Sequence, residues 1–409
     1  MAEVATRGKI TDEDVSKMRA LIGYANPTIR RGITALPFNT VATSDAIRHF
    51  AEGYGDANPL FVDPRYGAGS RWGSQIAPPG FEISMGYERS PQPGPELAAQ
   101  TRHVLRGVQL YNAGTDAVFH RPVVPGDQLD RVRVISRVDD KTSEFAARSV
   151  IVTNRASWTA QDSSPVVTSW NWFVHAERRQ AGSGGKYAKD EPAHYTDDEL
   201  AKIEAAYDAE YVRGPDTLYV EDVEVGAALP RMVKGPMTVT DLINMHMGAG
   251  WYSYGAPALR IGYENRKLMR GFYTRDGHNA WDVIQRVHWD PEVARSVGVP
   301  SSYDIAGMRW SWAVHFCTNV GGDDSWLHRL RIELRRFNYM GDTTWIDGTI
   351  AGCGIDPVLG PLVEIDITGT NQRGQQTFNG RATLLVASRV HGPVVLPDLV
   401  ADDPNPPAD

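Results

Sequence analysis

The sequence predicts an α+β protein in which an antiparallel sheet curls round one central helix, twice along the chain. Three observations carry that expectation. The length, 409 residues, is that of about two to three single-core domains. The second half of the chain repeats the first, and in each half a Gly-Asp turn opens a series of alternating apolar runs that read as strands. Composition agrees with a folded chain: 42% of residues are hydrophobic and 22% charged. The net charge of −8, without a strongly basic block, gives no support to a nucleic-acid surface and leaves a small molecule as the natural partner. Two cysteines, Cys317 and Cys353, make neither a disulfide framework nor a metal-ligand spacing, which fits the cytoplasm and predicts no metal. The first residues lack the apolar core of a secretory signal, and no window approaches the roughly 18 apolar residues of a spanning helix, so no membrane partner is expected.

Taken in order, residues 1–34 form an N-terminal lead-in with a short helix from Thr11, which caps it, to Ile22, with Gly23 ending it. Residues 35–176 make the first unit. Residues 177–215 are a linker, Gly- and Ser-rich at first and then a polar helix opened by a Thr196/Glu199 capping box. Residues 216–390 make the second unit, and the Pro-rich acidic tail, 391–409, is expected to fray. The repeat aligns the two units directly. The helix start at Asp45 recurs at Asp241, 196 residues on, whereas Asp63, Pro64 and Gly80 recur as Asp290, Pro291 and Gly307, 227 residues on. The difference, 31 residues, is an insertion in the second unit at about 252–285. Gly126-Asp127 then matches Gly341-Asp342, each a turn before a strand.

The run GYGDANPLFVDPRYGAGSRWGSQIAPPGF (residues 53–81) resembles the hydratase motif of MaoC-like proteins, the family of (R)-specific enoyl-CoA hydratases and dehydratases. That pattern reads Gly-Asp-x-Asn-Pro-x-His-x-Asp before a Gly-containing helix start. The Arg-Pro-x-x-Pro-Gly-Asp turn at residues 121–127 is also typical of the family. The resemblance covers most of residues 35–175 and 216–390. It implies a double hot-dog fold, two sheets each wrapped round a helix and paired into one, with a dehydratase-like first unit.

The resemblance also implies chemistry. Adding water to an α,β-unsaturated thioester needs a base for the water, a proton for Cα, and donors for the enolate oxygen. The family uses an Asp, a His five residues later, and a backbone amide at the start of the central helix. Here the first unit supplies Asp56 and Asn58, with Gly80 at the amide position, but Phe61 stands where the histidine belongs. The second unit supplies His288 and Gly307, but Val283 stands five residues before the histidine. The second unit is therefore expected to hold the site, with His288 and the Gly307 amide, Tyr303 and Asp304 nearby, and a carboxylate from Asp282, Asp290 or Asp276. Asp56, Asn58 and Gly80 form the alternative first-unit site. Plainer readings stand beside these: Asp56 and Asn58 as turn caps before Pro59, His288 as a structural histidine beside Asp290, Gly80 and Gly307 as packing glycines, and His246 and His315 as packing residues.

The insertion concentrates aromatic residues (Trp251, Tyr252, Tyr254, Tyr263, Phe272, Tyr273, Trp281) with Arg260, Arg266, Lys267 and Arg270. It reads either as a loop packing its own aromatics or as a pocket wall, with Arg260, Arg266, Lys267 and Trp281 as contacts for CoA or the acyl group. Trp310 and Trp312, two apart on a helix, belong to different faces, so one of them lines a pocket at most. The function expected from the resemblance is reversible hydration of an enoyl-CoA with a bulky or ring-containing acyl group and no cofactor beyond the CoA handle. The alternatives are a non-catalytic acyl-CoA-binding protein and a thioesterase on the same fold. Either a monomer or a homodimer is compatible with the sequence.

Overall fold

The computed structural model describes residues 8–28, 36–143, 146–177, 191–250 and 257–397. Trp251, Tyr252 and Tyr254, most of the Gly- and Ser-rich linker and the end of the tail lie outside the described residues. Twelve strands are described: β1 (Tyr87–Glu88), β2 (Gln109–Phe119), β3 (Leu129–Ser143), β4 (Ala146–Ala160), β5 (Pro165–Ala176), β6 (Met232–Lys234), β7 (Tyr273–Arg275), β8 (Trp281–Val283), β9 (Trp326–Leu334), β10 (Thr344–Asp356), β11 (Gly360–Asn371) and β12 (Gln376–Leu385). Ten of them form one sheet in the order β1-β3-β4-β5-β2-β9-β12-β11-β10-β6, and β7 pairs with β8 as a hairpin inside the insertion. The two halves meet where β2 pairs antiparallel with β9, Asp116 opposite Arg331 and Ala117 opposite Leu330. The two units thus share one continuous sheet, a double hot-dog.

The repeat is visible bond by bond. Asp63 and Asp290 each cap a short helix begun by proline, Pro64–Gly69 and Pro291–Ser296, with nearly equal backbone angles. Gly126 and Gly341 both have positive φ, +100° and +90°, and the following carboxylates accept the amides of Val124 and Tyr339, three residues back in each case. The capping boxes at Thr11 and Thr196 form as the sequence predicts, opening helices Asp12–Ala20 and Asp197–Asp208. The helix starts that repeat, Ser44–Gly53 and Val239–Ala249, pack on each other, so closely that a Cβ on Gly248 would stand 2.4 Å from the His49 carbonyl.

The halves differ in their middles. In the second, the helix Ala306–Gly321 is buried on nearly every side, and β9 to β12 wrap it with Leu330, Ile346, Ile365, Phe378 and Leu384. In the first, the segment at the same place makes only a four-residue 3₁₀ turn, Phe81–Ser84, before running on as β1. No long helix fills that half among the described residues. The reason is local: Gly86 sits at φ +96°, and Pro91 and Pro93 follow, so an intrahelical hydrogen-bond ladder cannot propagate. The space left open becomes a groove of about 1880 Å³ that runs along the inner face of the first half to the start of the Ala306–Gly321 helix. Among the described residues no helix is long and apolar enough to cross a membrane.

Candidate active site

The groove ends against the N-terminus of the central helix. Ile305 precedes that helix and has no side chain able to cap it, and the backbone of Ala306 and Gly307 lines the groove. A helix start with unsatisfied amides and a positive dipole end suits a developing negative charge. The approach to the helix is pinned: Tyr303 bridges Tyr339, and the Asp304 amide donates to the Asn338 carbonyl at 2.8 Å.

His288 comes to the same place at the end of a 3₁₀ turn, Ile284–His288. Its Nδ1 lies 2.9 Å from the Tyr303 carbonyl, and its ring meets the Tyr303 ring edge-on at 4.8 Å. A carbonyl only accepts, so Nδ1 carries the proton and Nε2 carries the lone pair. Burial pushes the imidazole down to about 4, with the nearby His246 acting in the same direction, so it is neutral at physiological pH. Asp304, one residue beyond Tyr303, is buried in an ion pair with Arg309, Nε to Oδ2 at 2.6 Å. Burial raises its carboxyl to about 6 against the pull of that guanidinium. Arg309 also donates to the carbonyls of Arg336 and Thr377, tying the site to the neighbouring strands.

The carboxylates proposed as partners of His288 are spent on other contacts. Asp290 accepts the amides of Glu292 and Val293 and pairs with Arg286; Asp282 accepts the Val283 amide; Asp276 closes the turn around His278 and Ala280. Asp304 belongs to the groove wall beside Tyr303, but its carboxyl is turned inward and fully buried against Arg309. In the insertion, Lys267 and Arg270 line the groove, whereas Arg260 is exposed outside it, and Arg266 and Trp281 stack on each other, 5.0 Å from guanidinium to ring. Of the four contacts read from the sequence, Arg260, Arg266, Lys267 and Trp281, only Lys267 lines the groove. Trp310 lines the groove and Trp312 is core, as their spacing requires.

The alternative first-unit residues are arranged differently. Asp56 accepts the Asn58 amide and the Tyr54 hydroxyl, and Asn58 accepts the Leu60 amide; neither lines the groove. Asp56 belongs to a buried cluster in which His315 Nε2 stands 3.6 Å from it and 3.4 Å from Glu210, while Lys234 Nζ donates to His315 Nδ1 at 2.8 Å. The sequence places His315 among packing residues; it is buried, but in a network of charges spanning both halves. At the Gly80 position the chain answers its own amide: the Gly80 N–H donates to Glu82 Oε2 at 2.9 Å, so a carboxylate of the protein occupies the donor that the family reserves for substrate oxygen. Burial raises that carboxyl to about 7. Glu82 escapes a motif search because it lies two residues past the last motif glycine.

Residues 32–169 match the family model for a FAS1-like dehydratase domain region. A UPF0336 protein of Saccharopolyspora erythraea is 32% identical over 132 residues, which span 32% of this chain and 78% of that relative. The chain belongs to the family of the UPF0336 proteins. A second UPF0336 protein, from Streptomyces coelicolor, is 28% identical over 34% of this chain and 85% of its own length. The MaoC-like fold extends over both halves. A solved MaoC-like dehydratase superposes with a TM-score of 0.57 at 17% identity, covering 90% of this chain and 98% of its own. A conserved Mycobacterium tuberculosis protein with a double hot-dog fold gives a TM-score of 0.50 at 12% identity, covering 87% and 96%. The sequence-level matches span no more than about a third of this chain, while its second half shares the fold at low identity.

Proposed function

We propose that this protein is a hydro-lyase that reversibly hydrates an α,β-unsaturated acyl-CoA thioester with a bulky acyl group, at the second-half site. The observation that carries the reading is the neutral His288, its Nδ1 proton held by the Tyr303 carbonyl, beside the uncapped start of the central helix at the end of one groove. His288 Nε2 takes a proton from water as the water oxygen bonds to Cβ. The Cα=Cβ electron pair moves to Cα, and the thioester oxygen carries the charge at the Ala306 and Gly307 amides. The proton that His288 took then returns to Cα, so one imidazole serves both transfers and the count of protons closes.

The groove supports a large acyl group, since 1880 Å³ exceeds the roughly 300–1,000 Å³ of ordinary ligand pockets. Its rim supports a CoA handle: Arg102, Arg106, Lys267, Arg270 and Arg335 are exposed along it. The reading calls for no cofactor beyond the thioester. A panel of enoyl-CoAs incubated with the purified protein tests it through loss of enone absorbance. His288→Ala is expected to lower that rate by about 10²–10⁴-fold. Undiminished turnover in that variant overturns the site; thiol release instead of absorbance loss makes the protein a thioesterase, and neither signal makes it a binding protein.

A further inference from the structure

The first-half part of the groove has a polar floor, and a β-bulge builds the piece of it nearest the seam between the halves. On β2, Asn112 stands opposite Phe173 and Gly114 opposite Trp172, so Ala113 is an extra residue in the pairing with β5. The bulge turns Asn112 to the same face as Thr115 and as Asn171, which stands opposite Thr115. Gly114 is required there: a Cβ on it would stand 2.2 Å from the Trp172 ring and 2.5 Å from the Ile332 carbonyl. Asn112, Thr115 and Asn171 all line the groove.

The backbone of Gly114 fixes which way both amides point. Its N–H donates to Asn112 Oδ1 at 3.1 Å, so Nδ2 is the other end of that side chain. Its carbonyl accepts from Asn171 Nδ2 at 3.0 Å, so Oδ1 is the other end of this one. Asn171 Nδ2 also donates to Thr115 Oγ1 at 2.7 Å and to Asn112 Oδ1 at 3.3 Å, which holds the two side chains together. Asn112 Nδ2 and Asn171 Oδ1 are left over. Neither meets a partner among the described residues, and both side chains are half-buried with these ends open to the groove. Farther along the floor, Asn154 and His175 are each only 2% exposed and are answered within the protein. Asn154 Oδ1 accepts from Asn26 Nδ2 at 2.9 Å, and His175 Nε2 lies 3.2 Å from Thr28 Oγ1. The unspent donor and acceptor are therefore those of the asparagine pair.

We propose that Asn112 and Asn171 form a recognition subsite for a hydroxyl group on the acyl part of the substrate, one that accepts from Asn112 Nδ2 and donates to Asn171 Oδ1. The inference rests on the reading that the groove holds an acyl thioester with its carbonyl at the central helix. On that reading the exposed cations of the rim take the CoA phosphates, and the floor faces the acyl group. Asn171 lies on β5, two strands from β9, on which the central helix packs, a distance of roughly 10 Å at the usual strand spacing. The hydroxyl therefore sits several carbons beyond the double bond. A plain hydrocarbon covers both free ends and satisfies neither. A keto oxygen accepts from Asn112 but sets a second acceptor against Asn171, and a carboxylate does the same with a full charge. A hydroxyl answers both.

The test measures Kd by calorimetry for saturated, unreactive acyl-CoAs on the full chain, with a methylene, hydroxyl or keto group at successive carbons of one chain length. At the carbon that reaches the pair, the hydroxyl form is expected to bind about tenfold tighter than the methylene form, and tighter than the keto form. In Asn112→Leu, which keeps the bulk and removes the donor, most of that preference is expected to disappear while free CoA binds as before. Equal affinities at every carbon, a keto form that binds as well as the hydroxyl form, or a hydroxyl preference undiminished in Asn112→Leu each overturn the proposal. Equal weakening of free CoA in that variant also overturns it, by giving the pair to the amides of the CoA arm instead. The comparison among ligands on the unaltered protein decides the matter even if the variant does not fold. Hydration of unsubstituted enoyl-CoAs separately tests the hydratase reading, so the two can fail independently.

Discussion

The two halves of this chain share topology, turn chemistry and capping residues, yet one encloses a helix and the other opens on a groove. The inner faces of their sheets carry the difference. Ile346, Ile365, Phe378 and Leu384 in the second half offer a surface that must be covered, and the central helix covers it. Asn154, Ser169, Asn171 and His175 in the first half offer hydrogen bonds, and no long helix lies over them among the described residues. With no long helix there, half of a structural core opens as a groove while the outer architecture stays the same. The comparison also separates two motif remnants: the first-half acid is locked into a charge network, and the second-half histidine faces the groove.

The comparison breaks most sharply at Asp56. Replacing it with Ala strips a carboxylate from the buried cluster of Lys234, His315 and Glu210, with an expected loss of about 3–5 kcal/mol in urea unfolding. The folded fraction should keep its turnover. Collapse of activity in a protein that still unfolds cooperatively would move the site to the first half. A milder pair of substitutions addresses the inner faces. A Cβ at Gly348 would stand 2.6 Å from the Phe316 ring, so Gly348→Ala should cost about 1–3 kcal/mol by overpacking the helix. Ser169→Ala, on the groove-facing sheet, should stay within about 0.5 kcal/mol of the parent. Equal costs at the two positions would show that the faces are not as different as described.

The smallest effect is one of pH. The base must be unprotonated, and His288 is held down to about 4, so its active form persists above that value. The rate on free enzyme should therefore stay level as pH falls through the range where an ordinary histidine, near 6.5, would titrate, and drop only on approach to about 4. A rate that halves near 6.5 would show an ordinary, solvated histidine instead.

Much of the scaffold was legible in the chain. The repeat of Asp63-Pro64 in Asp290-Pro291, the paired Gly-Asp turns and the Thr11 and Thr196 capping boxes each specify a local structure through contacts a few residues long, and such contacts are written in adjacent letters. The central helix expected in the first half from the motif match ending at Gly80 does not form: Gly86, Pro91 and Pro93 stop it after one 3₁₀ turn. The site was less legible. The expected partners of His288 went to caps and turns, because Asx side chains satisfy nearby amides first. The acid nearest it in sequence on the groove wall, Asp304, is buried against Arg309, a pairing that no local spacing announces.

By itself the sequence determined the repeated unit, the class of fold, the turns and caps, and the placement of a histidine at the motif position of the second half. Only the tertiary structure decided which acid the first-half motif serves, that Glu82 answers the Gly80 amide, and that His175 and Thr28, 147 residues apart, meet on one polar floor. The physical reason is range. Hydrogen bonds along a turn or cap depend on neighbours in sequence, whereas burial and the pairing of buried polar groups depend on which strands the sheet sets side by side.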